Sequence, residues 1–175
     1  VRDVREHGVI VRPICINNRF WDNVMGPDGV GGLVLRLGFR QIQGLSEEDA
    51  TWIMASRGNG YQSVRDVWRR AGLGPSVILR LAEADIFVSM KLSRRDAIWE
   101  AKTLNSGPAL PLFAMDIDGE MVDEPTTLLP KMRLGEEVIE DYVSIRLTLK
   151  AHPVALLRHI LTPVATVLPK VELAR

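Results

Sequence analysis

Apolar residues recur at helical spacing between residues 41 and 104 and predict four helices in that region. The predicted helices cover residues 47–57, residues 64–70, a segment that opens at Pro75, and residues 94–104. Their predicted inward-facing residues are Ala50, Ile53 and Met54; Val64, Val67, Trp68 and Ala71; Val77, Ile78, Leu81 and Ala82; and Ala97, Ile98 and Ala101. Phe87 is expected to anchor the core after the third helix. Stripes of this kind indicate a helical core rather than a cofactor site.

Three of these helix starts carry the same local signal, a serine followed three residues later by an aspartate. The arrangement is a variant of the capping box, in which the serine hydroxyl accepts a hydrogen bond from a first-turn amide. The pairs are Ser46 with Asp49, Ser63 with Asp66, and Ser93 with Asp96. We therefore expect three well-defined helix N-termini at these positions.

The first 40 residues alternate β-branched runs with turn residues and predict a small β element. Residues 9–16 predict a buried strand that Pro13 restricts to an edge or a bulge, and residues 33–37 predict a second strand. The segment between them is expected to turn near Pro27-Asp28-Gly29. Phe20 and Trp21 in this segment are interpreted as core residues, with base stacking as the alternative. The predicted fold class is mainly α with a small β element.

Two tight glycine bends connect the predicted helices, at Gln43-Gly44-Leu45-Ser46 and at Ala71-Gly72-Leu73-Gly74. A short helix at residues 39–42 precedes the first bend, and each bend leads directly into another helix. Such a bend points successive backbone N–H groups outward at a helix N-terminus, where the helix dipole adds positive charge. The geometry binds phosphate, so the two bends predict contacts with a nucleic-acid backbone that do not read its sequence.

The charge distribution supports this interpretation, although the 22 basic and 22 acidic residues cancel overall. Residues 57–102 contain nine basic and five acidic residues, a net charge of +4, and include both the second bend and Arg69-Arg70. Residues 114–142 contain nine acidic and two basic residues, a net charge of −7. Arg94 and Arg95 are expected to point outward at the start of the last helix, toward either a phosphate or solvent.

The composition excludes several other classes of protein. The 175-residue chain is 46% hydrophobic and 25% charged, as is typical of a globular domain. Cys15 is the only cysteine, which excludes an internal disulfide and a cysteine metal cluster and favours a packing role in a reducing compartment. The three histidines lack the spacing of a metal site. No apolar run is long enough for a bilayer helix and no signal peptide is evident, so we expect a cytoplasmic protein.

Residues 105–130 contain four prolines and little periodicity, and they predict a linker. Within it, Ala109-Leu110-Pro111-Leu112-Phe113 is an isolated apolar segment. Apolar side chains on a linker are typical of docking peptides, while packing back onto the chain's own helices is the alternative. Residues 134–143 then predict an amphipathic helix with Val138 and Tyr142, or Ile139 and Val143, facing inward.

The order of these motifs resembles a known family. GLVLRLGFRQIQGLSEEDATWIMASRG, SVRDVWRRAGLGPSVILRLAEADIF, RRDAIWEAK, LPLF and LGEEVIEDYVSIRLTLKAHPVALLR follow one another as in the C-terminal part of the fingers region of bacterial C-family DNA polymerases. The chain is most similar to the error-prone, damage-inducible branch of the polymerase III alpha-subunit type. The resemblance runs from about Val4 to Arg158.

This resemblance implies a tandem helix-hairpin-helix module that holds duplex DNA behind the polymerase active site. Residues 1–45 would end the fingers subdomain, residues 40–104 would form the DNA-binding module, residues 105–133 a linker, and residues 134–175 a helical connector toward an oligonucleotide-binding (OB) fold. The implied DNA-binding residues are Gln43, Gly44, Leu45, Ser46, Arg69, Arg70, Gly72, Leu73, Gly74, Arg94 and Arg95.

The resemblance also implies partners and places the chemistry elsewhere. Leu110, Leu112 and Phe113 match the apolar part of a sliding-clamp motif, with Ala109 where that motif favours glutamine. The implied partners are double-stranded DNA, the sliding clamp and accessory mutagenesis proteins, with no membrane. By this resemblance, the aspartates that hold catalytic Mg²⁺ in this family would lie upstream of Val1. We therefore expect no catalytic residue, metal or cofactor in this segment of a translesion polymerase.

Two other functions remain possible from the residues. A base-excision glycosylase also uses a helix-hairpin-helix, and Gly26-Pro27-Asp28 resembles its signature, but these residues precede the hairpins instead of following one. A protein-interaction module centred on Leu110 to Phe113 is the other alternative.

Overall fold

The computed structural model describes residues 2–18, 20–104 and 129–161. The fold is mainly helical with one small sheet, as predicted. In chain order the elements are α1 (Arg2–Glu6), β1 (Ile10–Arg12), β2 (Val24–Pro27), β3 (Leu33–Arg36), a 3₁₀ turn (Phe39–Gln41), α2 (Glu47–Ser56), α3 (Val64–Ala71), α4 (Pro75–Glu83), a second 3₁₀ turn (Val88–Met90), α5 (Arg94–Thr103), α6 (Leu134–Ile145) and α7 (Pro153–Leu161). The predicted clamp-binding residues Leu110, Leu112 and Phe113 lie outside the described residues.

The sheet has three short strands in the order β1, β3, β2. β1 pairs with β3 in parallel, with Ile10 opposite Val34, and β2 pairs with β3 in antiparallel fashion, with Met25 opposite Leu35. Pro13 has no backbone N–H to donate and follows directly after β1. The first strand is therefore three residues long rather than the eight predicted.

The predicted turn between β2 and β3 is confirmed, and Asp28 organises it. Its Oδ1 atom accepts hydrogen bonds from the backbone N–H groups of Val30 at 2.7 Å and Gly32 at 2.8 Å. These hydrogen bonds hold the pKa of Asp28 below its usual value, because they favour the ionised carboxylate. The carboxylate therefore serves the turn of its own hairpin.

One hydrophobic core joins the sheet to the helices. The predicted stripes are confirmed, because Ala50, Ile53, Val64, Val67, Ala71, Ile78, Leu81, Ala82, Ala97 and Ala101 are buried, and Met54, Trp68, Val77 and Ile98 pack against them. Phe87 is buried as expected. The three serine caps are also confirmed, since Ser46, Ser63 and Ser93 each accept a hydrogen bond from the N–H of the aspartate three residues later.

Phe20 is not the core residue that the sequence predicted, because its side chain is 43% exposed, while Trp21 packs partly buried against the core. The loop that carries both residues is held through its backbone. The carbonyl groups of Phe20 and Trp21 accept hydrogen bonds from the N–H groups of Phe39 at 3.2 Å and Arg40 at 3.0 Å. Backbone contacts hold this loop against the start of the 3₁₀ turn, so the phenyl ring of Phe20 need not enter the core.

Helix α6 packs against the helical module through Val138, Asp141, Ser144 and Ile145, which are all buried. Neither predicted inward pair is complete, because Tyr142, Ile139 and Val143 are exposed. The C-terminal end of this helix reaches the first glycine bend, where the carbonyl of Ser144 accepts a hydrogen bond from Gln43 N–H at 2.8 Å.

Candidate nucleic-acid interface

The second bend, residues 71–74, is an open turn fixed by one buried leucine. Gly72 adopts a left-handed conformation with φ of +66° and donates its N–H to the carbonyl of Trp68 at 3.1 Å. The Leu73 side chain is only 6% exposed, whereas Gly72 and Gly74 are exposed on either side of it. The backbone N–H groups of Leu73 and Gly74 have no acceptor within the part of the chain that the structure describes.

Helix α4 starts directly from this bend without any side-chain cap. Gly74 is its N-cap residue, Pro75 occupies the first turn, and the first turn contains no acidic residue. A Cβ atom added to Gly74 would meet only Ser76 Oγ, at 3.9 Å, so the space in front of the helix N-terminus is open. Free amides at an uncapped helix N-terminus attract an anion.

The first bend, residues 43–46, has the same backbone shape but different surroundings. Gly44 has φ of +71° and is exposed, and Leu45 is buried at 8% exposure. Arg80 Nη1 donates to the Gly44 carbonyl at 2.6 Å, and a Cβ on Gly44 would lie 3.3 Å from Arg80 Cζ. Gln43 N–H is bonded to Ser144, and Leu45 N–H is bonded to the Ile42 carbonyl at 3.3 Å. Two of the amides expected to face a phosphate are therefore already used.

The first turn of α2 and the second bend line one cavity. A cavity of about 570 Å³ is lined on one side by Glu48, Asp49 and Trp52 of α2 and on the other by residues 70–74. Because α2 begins at the first bend, this shared cavity places its first turn next to the second bend.

The acidic residues of α2 are a feature that the sequence analysis overlooked. Glu47, Glu48 and Asp49 fill the first turn of α2, so the dipole of that helix is already compensated. The sequence analysis also overlooked Trp52, which is 57% exposed. Its position outside the stripe of Ala50 and Ile53 is the signal that indicates this exposure. Its indole ring stands on the wall of the cavity beside the second bend.

The predicted arginines divide into free and engaged groups. Arg69 is exposed at the end of α3 and has no partner among the described residues. Arg70 is engaged, because its guanidinium donates to the carbonyls of Ser56 at 2.6 Å and Gly60 at 3.0 Å, and to that of Arg57. It also pairs with Asp66 at 2.9 Å. Arg70 thus caps the end of α2, and of these two arginines Arg69 is the one without a partner in the described ranges.

The expectation that Arg94 points outward is wrong. Its side chain is buried and forms an ion pair with Asp141 of α6, with Asp85 at 3.7 Å and the Glu137 carbonyl at 3.0 Å as further partners. Helix α6 covers this end of α5, so the guanidinium meets carboxylates instead of solvent. Arg95 is half-exposed, donates to the Pro130 carbonyl at 2.7 Å and lies 3.5 Å from Glu136. Both residues thus fasten the segment that carries α6.

Lys150 completes this network, because it shares Asp85 and Asp141 with Arg94. Its Nζ lies 2.9 Å from Glu137, 3.1 Å from Asp85 and 3.6 Å from Asp141. Burial acts to lower the pKa of Lys150, but the hydrogen bond to Glu137 and the interactions with Asp85 outweigh it and raise the pKa above its ordinary value. Three acids and two cations hold α6 to the module.

Comparison with known proteins identifies the module. A family model described as a helix-hairpin-helix motif matches residues 8–97. The chain belongs to the helix-hairpin-helix family. It is 56% identical over 158 residues to an error-prone DNA polymerase of Ruegeria pomeroyi, a match that covers 90% of this chain and 14% of that protein. It is 46% identical to error-prone DNA polymerase 2 of Rhizobium meliloti and 43% identical to an error-prone DNA polymerase of Brucella abortus, each covering 90% of this chain and 15% of the relative.

The resemblance to error-prone DNA polymerases is thus confirmed, and the chain corresponds to one segment of these larger proteins. Its helix-hairpin-helix module is a DNA-binding motif. The first hairpin departs from expectation in one respect, because the helix before its bend is a single 3₁₀ turn, Phe39–Gln41.

Asp28, the candidate glycosylase residue, is committed to its own turn. No group of three or more histidine, cysteine or acidic side chains is arranged to hold a metal ion in residues 2–18, 20–104 and 129–161. In the same ranges no helix has the length and apolar character needed to span a bilayer.

Proposed function

We propose that this chain is a non-catalytic segment of an error-prone DNA polymerase that binds duplex DNA without reading its sequence. The observation that carries the proposal is the second bend, where the free amides of Leu73 and Gly74 stand at the uncapped N-terminus of α4. Amides in this position bind a phosphate oxygen on any sequence, because they make no contact with a base edge.

Arg69 supports the same reading through its charge. It is exposed at the end of the helix that leads into the bend, and a cation there adds long-range attraction for a phosphate backbone. The exposed Trp52 on the cavity wall provides an apolar surface for a deoxyribose next to the bound phosphate. Contacts with phosphate and sugar, without contacts to base edges, give binding that does not depend on the DNA sequence.

The test is binding of a fluorescent duplex to the whole chain, measured by anisotropy at several salt concentrations. We expect dissociation constants between micromolar and millimolar and a slope of log affinity against log salt of roughly −2 to −3, because about two or three phosphates are contacted. Duplexes of unrelated sequence should bind alike. An affinity that does not change with salt would contradict the proposal.

The variant pair Gly74→Asp and Gly74→Asn makes this test specific. Both side chains are good helix caps and meet open space at this position, so both variants should fold. They differ only in charge. We expect Gly74→Asp to bind duplex about tenfold more weakly than Gly74→Asn, since its carboxylate repels the phosphate at short range. Equal affinities for the two variants would place the phosphate elsewhere.

For the complete protein we propose DNA-templated synthesis past damaged bases, with Mg²⁺ held outside this segment. The support is the printed name of the relatives and the 43–56% identity to them. Such a protein works where the bacterial chromosome is, so we propose a cytoplasmic location. Metal-dependent primer extension by the complete protein, and its absence in the 175-residue chain, test this proposal.

A second proposed interaction is with a sliding clamp and its accessory proteins. Its support is the isolated apolar sequence Ala109-Leu110-Pro111-Leu112-Phe113. We expect an immobilised, purified clamp to retain the original chain. It should not retain the double variant Leu112→Ala with Phe113→Ala. Retention of that variant at the same level would exclude the peptide as the docking site.

A further inference from the structure

We propose that a polar cavity at the end of the module opposite the hairpins binds a phosphate group. This inference goes beyond the proposed function and does not depend on it. The cavity has a volume of about 610 Å³ and lies where the loop after α2 meets Asn17 and the second 3₁₀ turn. Helix α3, with eight residues and a rise of about 1.5 Å per residue, separates it from the second bend by about 12 Å.

The walls of this cavity carry positive charge and hydrogen-bonding groups. The polar side chains that line it are Arg57, Lys91, Asn17, Asn59, Gln62 and Ser89. No carboxylate is among the described residues on its wall, whereas Glu48 and Asp49 line the cavity beside the second bend. Two cations on a wall that carries no carboxylate favour an anionic ligand, although Asp66 lies behind the wall and accepts the N–H of Gln62 at 3.1 Å.

Arg57 has unused hydrogen-bonding capacity at this site. Its Nη1 donates to the Asn17 carbonyl at 2.5 Å, which holds the guanidinium in place. Its Nη2 group donates to no acceptor within the described ranges, whereas its Nε–H is buried below the surface and faces no ligand in the cavity. Lys91 is exposed, and no partner for its ammonium is found in the same ranges. A guanidinium with free donors and a nearby ammonium match the several acceptor oxygens of a phosphate.

Hydrogen bonds from Asn17 and Tyr61 connect the frame around the two cations. Asn17 Oδ1 accepts the N–H of Tyr61 at 2.7 Å, and Asn17 Nδ2 donates to the Tyr61 carbonyl and to Ser89 Oγ, each at 3.4 Å. Tyr61 is itself anchored, because its hydroxyl donates to the Ile53 carbonyl at 2.7 Å. One asparagine therefore ties together all three segments that form the cavity. A pre-formed frame binds a small anion with little ordering cost.

Two glycines leave part of the rim of this cavity without side chains. Gly58 and Gly60 have φ of +51° and +111°, conformations that other residues rarely adopt. A Cβ on Gly60 would lie 3.4 Å from Asn17 Oδ1. Backbone without side chains at the mouth allows close approach by a phosphate, either of an oligonucleotide strand or of a free phosphate compound, and the experiment below distinguishes these sources.

The test is an NMR titration of the ¹⁵N-labelled chain with pyrophosphate and, separately, with a short single-stranded oligonucleotide, each against sodium chloride at matched ionic strength. We expect the amide signals of Gly58, Gly60 and Lys91 to shift with the phosphate compounds and not with chloride. A response to both probes assigns a backbone-binding site, and a response to pyrophosphate alone assigns a site for small phosphates.

Charge-altered variants then identify the cavity. Lys91→Glu should weaken the pyrophosphate response about tenfold, while Lys102→Glu, the same change on exposed α5, should leave it unchanged. Asn59→Asp adds a carboxylate to the cavity without changing size and serves if Lys91→Glu fails to fold. The proposal is overturned if no amide of the cavity shifts beyond the chloride control, or if the altered chain responds like the original. The Gly74→Asp and Gly74→Asn variants measure duplex binding at the second bend separately. The phosphate-cavity proposal and the proposed function can therefore each fail without the other.

Discussion

The two hairpins have the same backbone conformation at their bends but differ in the residues that surround those bends. Both place glycine near φ of +70° and bury the next leucine. At the first bend the backbone is bonded to Ser144 and Arg80, and three acids follow in α2. At the second bend the amides are open and the following turn of α4 contains no acid. The two copies of the motif therefore present different groups to a ligand, because the residues around each bend decide which of its backbone groups are already bonded.

The contrast has an electrostatic cause. A helix N-terminus carries about half a positive charge, and an acidic side chain in the first turn interacts favourably with it by about 0.3–1 kcal/mol. Helix α2 satisfies this charge internally with Glu47, Glu48 and Asp49, whereas α4 leaves it for a ligand. We infer that the first hairpin mainly seats α6 and that the second hairpin binds DNA.

The largest expected effect comes from removing the anchor of α6. Asp141→Ala leaves the Arg94 guanidinium buried without its main partner, and we expect a loss of about 3 kcal/mol in the free energy of unfolding. Urea denaturation measures this loss. Glu140→Ala on the same helix is the control and should cost much less, since no ion pair to its side chain is found in the described residues. Equal losses would mean that the Arg94 pair does not hold α6.

Placing the same acid at both helix caps compares the hairpins directly. Ser46→Asp keeps a good cap on α2 and adds a fourth negative charge to an end that already has three acids in its first turn. We expect less than about a twofold change in duplex affinity, against about tenfold for Gly74→Asp relative to Gly74→Asn. If Ser46→Asp abolished binding, the first hairpin would be a phosphate site as well.

Removing an acid from the shared cavity should act in the opposite direction. Glu48→Gln takes away a carboxylate that faces the second bend, and we expect duplex affinity to rise about two- to threefold at low salt. The gain should diminish as salt is added. Glu83→Gln, at the far end of α4, is the matched control and should change little. A gain of the same size in the control would show only an effect of net charge.

The smallest effect concerns the pH dependence of the α6 network. Because the pKa of Lys150 is raised in the folded chain, its contribution is fully present below the pKa of an unfolded lysine, about 10.4, and is lost as the pH rises through the higher folded value. We expect the original chain to lose stability as the pH rises above about 10.5, and the Lys150→Met variant to lose less stability over the same range. Thermal unfolding across that range measures it, and identical alkaline profiles would contradict the role of Lys150.

Local signals in the sequence predicted the helices, their serine caps and the glycine bends between them. These features depend on residues within one or two turns of each other, so a single segment contains the information. Ser63, for example, needs only the N–H of Asp66 to start its helix, at 3.0 Å.

Tertiary structure alone decided which charges are free. Arg94 looks like a surface residue in its own segment, and only the docking of α6 brings Asp141, 47 positions away, against it. The same docking occupies the first bend, and the phosphate cavity is assembled from three separate segments of the chain. Short-range patterns determine where helices begin and which side they bury, but the partner of a charged group depends on packing between distant segments, which local periodicity does not encode.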